Sequence, residues 1–148
     1  MMPNSLDFMR QALELAAQAA SVGEVPVGCV IVKDGLVLAS GRNEVMELED
    51  ITAHAEIVTL RRASTIIGSR ILTGCHLYVT LEPCPMCAQA ISFSRVERVY
   101  YAAPDPKGGG IDHGPRVLAH AHHKPEVYGG ICETEAGLLL KAFFQDLR

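Results

Sequence analysis

Leu77-Tyr78-Val79-Thr80-Leu81-Glu82-Pro83-Cys84-Pro85-Met86-Cys87 runs without a linker from strand-forming residues into the start of a helix. His76 to Leu81 is β-rich by composition, and Glu82-Pro83 leads out of it. Pro85 suits a first helical position, where its missing N–H is no loss, so a helix is expected from Pro85 to about Ser92. Cys84 and Cys87, three apart, then share one face of its first turn. Free N–H groups and the positive end of the helix dipole favour thiolates there.

A second stretch, His54-Ala55-Glu56, completes a set of one imidazole, two thiols and a free carboxylate. That donor set fits a hydrolytic zinc site, with three protein ligands, an open fourth position and a carboxylate to move a water's protons. Two thiolates and a neutral imidazole cancel the charge of Zn²⁺, which leaves the ion acidic enough to ionise water near neutral pH. Thr52 reads as the N-cap of a helix reaching Ile67 and stopped by Gly68, so that His54 and Glu56 fall in its first turn. There the two side chains diverge, His54 toward the metal and Glu56 toward the water.

Other readings of the same residues stand beside this one. A lone Cys-x-x-Cys pair also occurs in structural zinc half-sites and in redox pairs. A closed four-ligand site would draw its last donor from His76, His113, His120, His122 or His123, although histidines clustered in a loop are usually solvated. Cys29, Cys75 and Cys132 read as packed small hydrophobes beside apolar strands.

Outward from these stretches, Leu6, Met9, Leu13, Ala16, Ala17 and Ala20 predict an amphipathic helix over residues 5–21, with Ser5 as N-cap, Asp7 in the first turn and Gly23 as stop. Val25 to Val32 reads as a buried strand, Lys33-Asp34-Gly35 as a tight turn and Leu36 to Ser40 as the returning strand. Glu44 to Asp50 reads as a surface loop, Val96 to Ala102 as a strand and Pro104 to Gly114 as a loop. A short helix is expected around Val117 to Ala121 and a last strand over Glu126 to Ile131. Thr134 should cap a final helix with Ala136, Leu139, Leu140, Phe143 and Phe144 as an apolar stripe that reads as core rather than as a substrate platform. The order αββαβαβ(β)α implies an α/β fold of three layers, a mixed sheet with helices on both faces, in one domain spanning residues 1–148.

Composition bounds the function. With 148 residues, 49% of them apolar, and a mean hydropathy of +0.18, the chain can bury a real core. It carries no basic-then-apolar leader pattern and no apolar run long enough to span a bilayer, so a cytoplasmic protein without membrane contact is expected. Five cysteines, an odd number with two in a Cys-x-x-Cys pair, favour metal or redox chemistry over a disulfide framework. A net charge of −4 counts against a broad nucleic-acid surface. If RNA binds, Arg42, Arg61, Arg62, Arg70, Arg95, Arg98, Lys107, Arg116, Lys124 and Lys141 must gather on one side.

On its His-Ala-Glu and Pro-Cys-Pro-Met-Cys motifs the chain resembles the zinc-dependent nucleobase deaminases of the cytidine-deaminase-like fold. The likeness to the branch acting on tRNA adenosine covers nearly the whole chain, through Gly23 to Gly28, Asn43, Asp50 to Ile57, Leu77 to Ala88, Ser94-Arg95-Val96, Asp105 with Lys107, and Phe143-Phe144. The resemblance implies a central mixed five-stranded sheet and one Zn²⁺ per chain held by His54, Cys84 and Cys87. It also implies hydrolytic deamination of adenosine to inosine at the wobble position of a tRNA anticodon, with zinc-activated water attacking C6 and Glu56 as proton shuttle. By the same likeness Asn43, Ala55 and Val25 would meet the base, while Asp105, Lys107 and Phe144 would meet the anticodon stem-loop, that of an arginine tRNA, on a homodimer. Ile51 departs from the family's usual proline, and Pro85 between the cysteines is shared with guanine deaminases. A deaminase of free guanine, or a non-catalytic zinc module in which Glu56 is incidental, therefore remains beside the leading reading.

Overall fold

The computed structural model describes residues 4–147. Five strands form one sheet in the order β2-β1-β3-β4-β5, with β1 at Gly28–Lys33, β2 at Leu36–Arg42, β3 at Cys75–Leu81, β4 at Arg98–Ala103 and β5 at Glu126–Gly129. β1 runs antiparallel to both β2 and β3, whereas β3, β4 and β5 are parallel, so the sheet is mixed as expected. The hairpin between β1 and β2 turns through Asp34 and Gly35, both at positive φ, in the sense that matches strand twist.

Alternation along the strands divides the core in two. Val30, Val32, Tyr78, Tyr100 and Ala102 face α1 (Ser5–Ser21) and Ala136 of α5 (Glu133–Asp146), with the Tyr78 and Tyr100 rings stacked at 4.4 Å. Cys29, Ile31, Leu77, Val79 and Val99 face the opposite way, onto Leu60 and Ala63 of α3 (Ala55–Ile67) and Ile91 of α4 (Pro85–Ser94). Cys29 and Cys75 are packed in this second layer as anticipated. Gly28 is needed where α1 crosses β1, because a Cβ there would drive into the Ala12 carbonyl.

Several local expectations are corrected. The α1 cap is Asn4; Ser5 is buried and its Oγ shares a 3.0 Å hydrogen bond with the Tyr78 hydroxyl, so the hydroxyl serves the core instead. The buried stripe of α1 is Phe8, Met9, Ala12, Ala16 and Ala19, while Leu6 and Ala17 are exposed. Residues 25–27 lie outside β1, and the presumed surface loop after β2 contains a helical turn, α2 (Val45–Leu48). Thr52 does not cap α3: its N–H and hydroxyl bind Asp50 Oδ1, and His54 is the N-cap. Cys132, not Thr134, precedes α5, and of the expected α5 stripe only Ala136 is fully buried.

Candidate active site

Both halves of the site lie at helix beginnings. His54 and Cys84 each occupy the extended residue immediately before a helix, α3 and α4 respectively, and Cys87 sits within the first turn of α4. The fold brings these two tips together across 30 residues of chain, placing His54 Nδ1 3.6 Å from Cys84 Sγ and 3.5 Å from Cys87 Sγ. His54 and Cys84 are half-buried and Cys87 is buried.

The donor set fits zinc on geometry. Metal bonds of about 2.3 Å to sulfur and about 2.0 Å to nitrogen at a tetrahedral angle separate N from S by about 3.5 Å, the spacing observed here. Electrostatics agrees. The Cys84 thiol is lowered to about 4, chiefly by the hydrogen bond from Cys87 and further by His54, while Cys87 is pushed far up by that same bond and by burial. Only one of the two thiols can ionise while they face each other alone; a second thiolate needs a cation between them. Among the described residues, His54, Cys84 and Cys87 are the only His, Cys, Asp or Glu donors grouped closely enough for this, so none of the remaining histidines supplies a fourth ligand. Two of those have structural partners rather than solvent: His113 Nδ1 lies 2.6 Å from Glu82 Oε1, and His123 Nε2 lies 2.6 Å from the Val96 carbonyl.

Glu56, in the first turn of α3, is 4% exposed. Burial raises its carboxyl to about 7, with the nearby Cys84 thiolate adding to the rise. A carboxyl poised there can both take and return a proton near neutral pH.

His54, Glu56 and Cys84 close one end of a cavity of about 500 Å³, within the range of small-molecule sites, with Cys87 buried behind them. Val25, Val27 and Leu81 give it apolar walls; Asn43, Val45 and Met46 form one side, Asp105 another, and Phe143, Phe144 and Leu147 of the α5 end overhang it. Val25, Asn43, Asp105 and Phe144, named from the resemblance, all line this one cavity. Ala55 is wholly buried behind the wall, and Lys107 is exposed and outside the lining. Asp105 has a structural task too, since its Oδ1 accepts from the N–H groups of Lys107 and Gly108. Phe143 and Phe144, expected in the core, line the cavity instead, because the last turns of α5 reach the end of β3 where Leu81 stands.

Two residues overlooked in reading roles from the sequence are the buried carboxylates Glu24 and Glu82, both in the cavity lining. Glu24 accepts hydrogen bonds from Asn43 Nδ2 and from the amides of Met46 and Glu47. Glu82 accepts from the amides of Asp105, Ile111, Asp112 and His113, and pairs with the His113 ring. Gly110 closes the same loop on the metal end: its N–H donates to the Pro83 carbonyl, and a Cβ on it would come within 2.7 Å of Cys84 and Pro85 backbone. The only sequence signal was the presence of acidic residues inside apolar runs, a pattern that demands buried hydrogen-bond partners.

A mixed sheet that presents an imidazole and two thiols at adjoining helix tips, with a buried carboxyl beside them, defines a zinc-dependent deaminase of the α/β class. The chain belongs to the family of the cytidine and deoxycytidylate deaminase zinc-binding region, whose model matches residues 2–103. A protein of Agrobacterium fabrum (strain C58 / ATCC 33970) named tRNA-specific adenosine deaminase is 49% identical over 143 residues, covering 95% of this chain and 94% of that protein. The protein of the same name from Bacillus subtilis (strain 168) is 42% identical over 143 residues, covering 95% and 89%. Among solved structures, one from a study of A-to-I editing by tRNA:A34 deaminases superposes with a TM-score of 0.89 at 49% identity, covering 90% of this chain and 99% of that one. The guanine deaminase of Bacillus subtilis superposes with a TM-score of 0.66 at 42% identity over 70% of this chain and 66% of that one.

Proposed function

We propose that the chain, acting as one domain, converts adenosine to inosine at the wobble position of a tRNA anticodon. The observation that carries this reading is the buried Glu56 beside the His54, Cys84 and Cys87 donors, with Glu56, His54 and Cys84 opening on a cavity large enough for a nucleobase that Asn43 and Phe144 also line. Similarity at 49% identity over 90–95% of the chain to proteins named for tRNA adenosine deamination supports it over guanine deamination, where a likeness covering 96% of the chain is 23% identical and one at 42% identity covers 70%.

His54, Cys84 and Cys87 would hold the Zn²⁺, whose role when bound is to make water a nucleophile near neutral pH. Glu56 takes a proton from that water, delivers it to N1 of the adenine and then assists the departure of ammonia. Val25 and the cavity's aliphatic walls exclude bulk water from the ring, and Asn43 orients it; Ala55 offers only its backbone. Asp105, Lys107 and Phe144 meet the RNA around the extruded nucleotide. An anticodon loop is already largely unpaired, so extrusion costs on the order of a few kcal/mol. The same reading places the protein in the cytoplasm as a homodimer acting on an arginine tRNA. No helix among the described residues is long and apolar enough to cross a membrane.

The deciding experiment incubates zinc-loaded protein with tRNA bearing a wobble adenosine and, separately, with guanine. Inosine in the tRNA without ammonia from guanine is expected; the opposite result replaces this function with guanine deamination. An arginine tRNA with wobble adenosine compared with other tRNAs so altered tests the choice of tRNA, and sedimentation at micromolar concentration tests the dimer.

A further inference from the structure

Asn43 is fixed through its backbone on both sides: its N–H donates to the Val27 carbonyl at 3.1 Å, and its carbonyl accepts from Arg42 Nη1 at 3.1 Å. These bonds place the residue but leave its side chain undetermined. Rotating a carboxamide by half a turn exchanges Oδ1 and Nδ2 with almost no change of shape, while reversing what the residue offers to a ligand. A cavity that reads a base through such a group needs something to choose the orientation.

Glu24 is the group in position to do so. It is 0% exposed, lines the same cavity, and its Oε1 lies 3.4 Å from Asn43 Nδ2. The same carboxylate is anchored from the other side, Oε1 accepting from the Met46 amide at 3.1 Å and Oε2 from the Glu47 amide at 2.7 Å. Because a carboxylate only accepts, it admits Nδ2 and rejects Oδ1. Held by two backbone amides of α2, it cannot swing away to suit the alternative.

We propose that Glu24 is a positioning residue for the reaction: it locks the Asn43 carboxamide in one orientation, so that the cavity presents Oδ1 and the second Nδ2 proton in a fixed order to the substrate. The inference rests on the reading that Asn43 meets the base. Glu24 itself touches no reacting atom and acts through its neighbour. It also ties Asn43 to α2, so the cavity wall and the reading group move as one body.

Glu24→Gln reverses the group facing Asn43 at the loss of one of the two α2 bonds. Its single amide oxygen can keep the shorter bond from the Glu47 amide, whereas the N–H₂ standing in place of Oε1 gives up the Met46 bond and can donate to Oδ1, favouring the reversed Asn43. The first measurement needs no substrate: in the ¹⁵N-labelled, zinc-loaded protein, the Asn43 side-chain amide pair, assigned by its absence in Asn43→Ala, should shift in Glu24→Gln. In Glu24→Ala it should exchange with water at least about tenfold faster. An unmoved pair in both variants overturns the proposal.

The second measurement is kinetic, on an RNA hairpin with a wobble adenosine. Glu24→Gln should raise KM about tenfold with kcat within about threefold, the pattern of lost binding rather than lost chemistry. In an Asn43→Ala background the same change should have less than about a twofold further effect, because a residue acting through Asn43 has nothing left to position. Effects that multiply across the two sites overturn the proposal. If the unaltered protein makes no inosine, the proposed function fails, and the amide spectrum alone still decides the role of Glu24.

Discussion

At the closed end of the cavity, His54, Cys84 and Cys87 stand at two helix beginnings, and each helix is rooted in the apolar core through Leu60, Ala63 and Ile91. Elsewhere the cavity is bounded by the α2 turn and, at Asp105, by the loop running on to His113, segments with little apolar burial, each tied to a single buried carboxylate, Glu24 or Glu82. The first arrangement makes ligand geometry a by-product of helix packing. The second concentrates the placement of a whole wall in a few charge-assisted hydrogen bonds. On the proposed function, chemistry is therefore mounted on the rigid part of the molecule, and recognition on parts that a single substitution can release.

The largest effect is expected at the closed end. Cys87→Ala removes a buried donor from a three-donor set, so the purified protein should hold little zinc by elemental analysis and show no measurable turnover. Glu56→Ala should keep the full zinc content and lose turnover about 10²- to 10⁴-fold, the contribution of a positioned acid–base group. Zinc retained together with activity in Glu56→Ala would reject the proton-transfer role and favour a non-catalytic zinc module.

The same contrast explains what could be read in advance. His54, Glu56, Cys84 and Cys87 were legible because helix beginnings carry local signals: Pro85 at a first turn, small and apolar residues following, and Gly68 at positive φ as the stop of α3. The mixed three-layer sheet was legible through the alternation of Tyr78 with Leu77 and Val79 and the tight turn at Asp34-Gly35. Caps went astray where a side chain had a tertiary partner, as Ser5 has in Tyr78, or a competing local turn, as Thr52 has in Asp50. The tasks of Glu24 and Glu82 were not legible, since their partners lie 19 to 31 residues away and are mostly backbone amides, which leave no mark in the residue types. Phe143 and Phe144 misled because an apolar stripe looks the same whether it meets a sheet or a cavity.

In the carboxylate-tied loop, Glu82→Ala should cost about 3 kcal/mol in chemical denaturation, because it strands buried amides of the 105–113 segment along with the His113 ring. Glu82 also gives that loop a pH signature. Burial works to raise its carboxyl, but the Asp105 amide and then His113 outweigh burial and leave it below the ordinary carboxylate range. A carboxylate depressed by folding contributes stability that is fully present above its unfolded pKa of about 4.3 and is lost as pH falls through the folded value. Thermal unfolding followed between pH 6 and pH 3 should therefore fall more steeply in the unaltered protein than in Glu82→Gln. Equal slopes would mean that the loop is held by something other than this charge.

The smallest effect is expected at the rim, where Phe143 and Phe144 meet edge to face with ring centroids 5.3 Å apart. Phe143 is half-buried and Phe144 is 47% exposed, yet both line the cavity. Neighbours on one helix turn can divide the work, the inner ring fixing the outer one and the outer ring remaining free to stack on a nucleobase. Base–aromatic stacking is worth about 1–3 kcal/mol, and partial exposure places Phe144 near the lower limit, so Phe144→Ala should raise KM about fivefold with kcat unchanged. Its unfolding free energy should stay within about 0.5 kcal/mol of the unaltered protein, as for an exposed substitution, whereas Phe143→Ala should lower stability as well as affinity. If the two variants lose stability equally, the pair belongs to the core after all. If Phe144→Ala alone changes KM, the last turn of α5 is a recognition element carried at the edge of a fold whose chemistry lies at the cavity's other end.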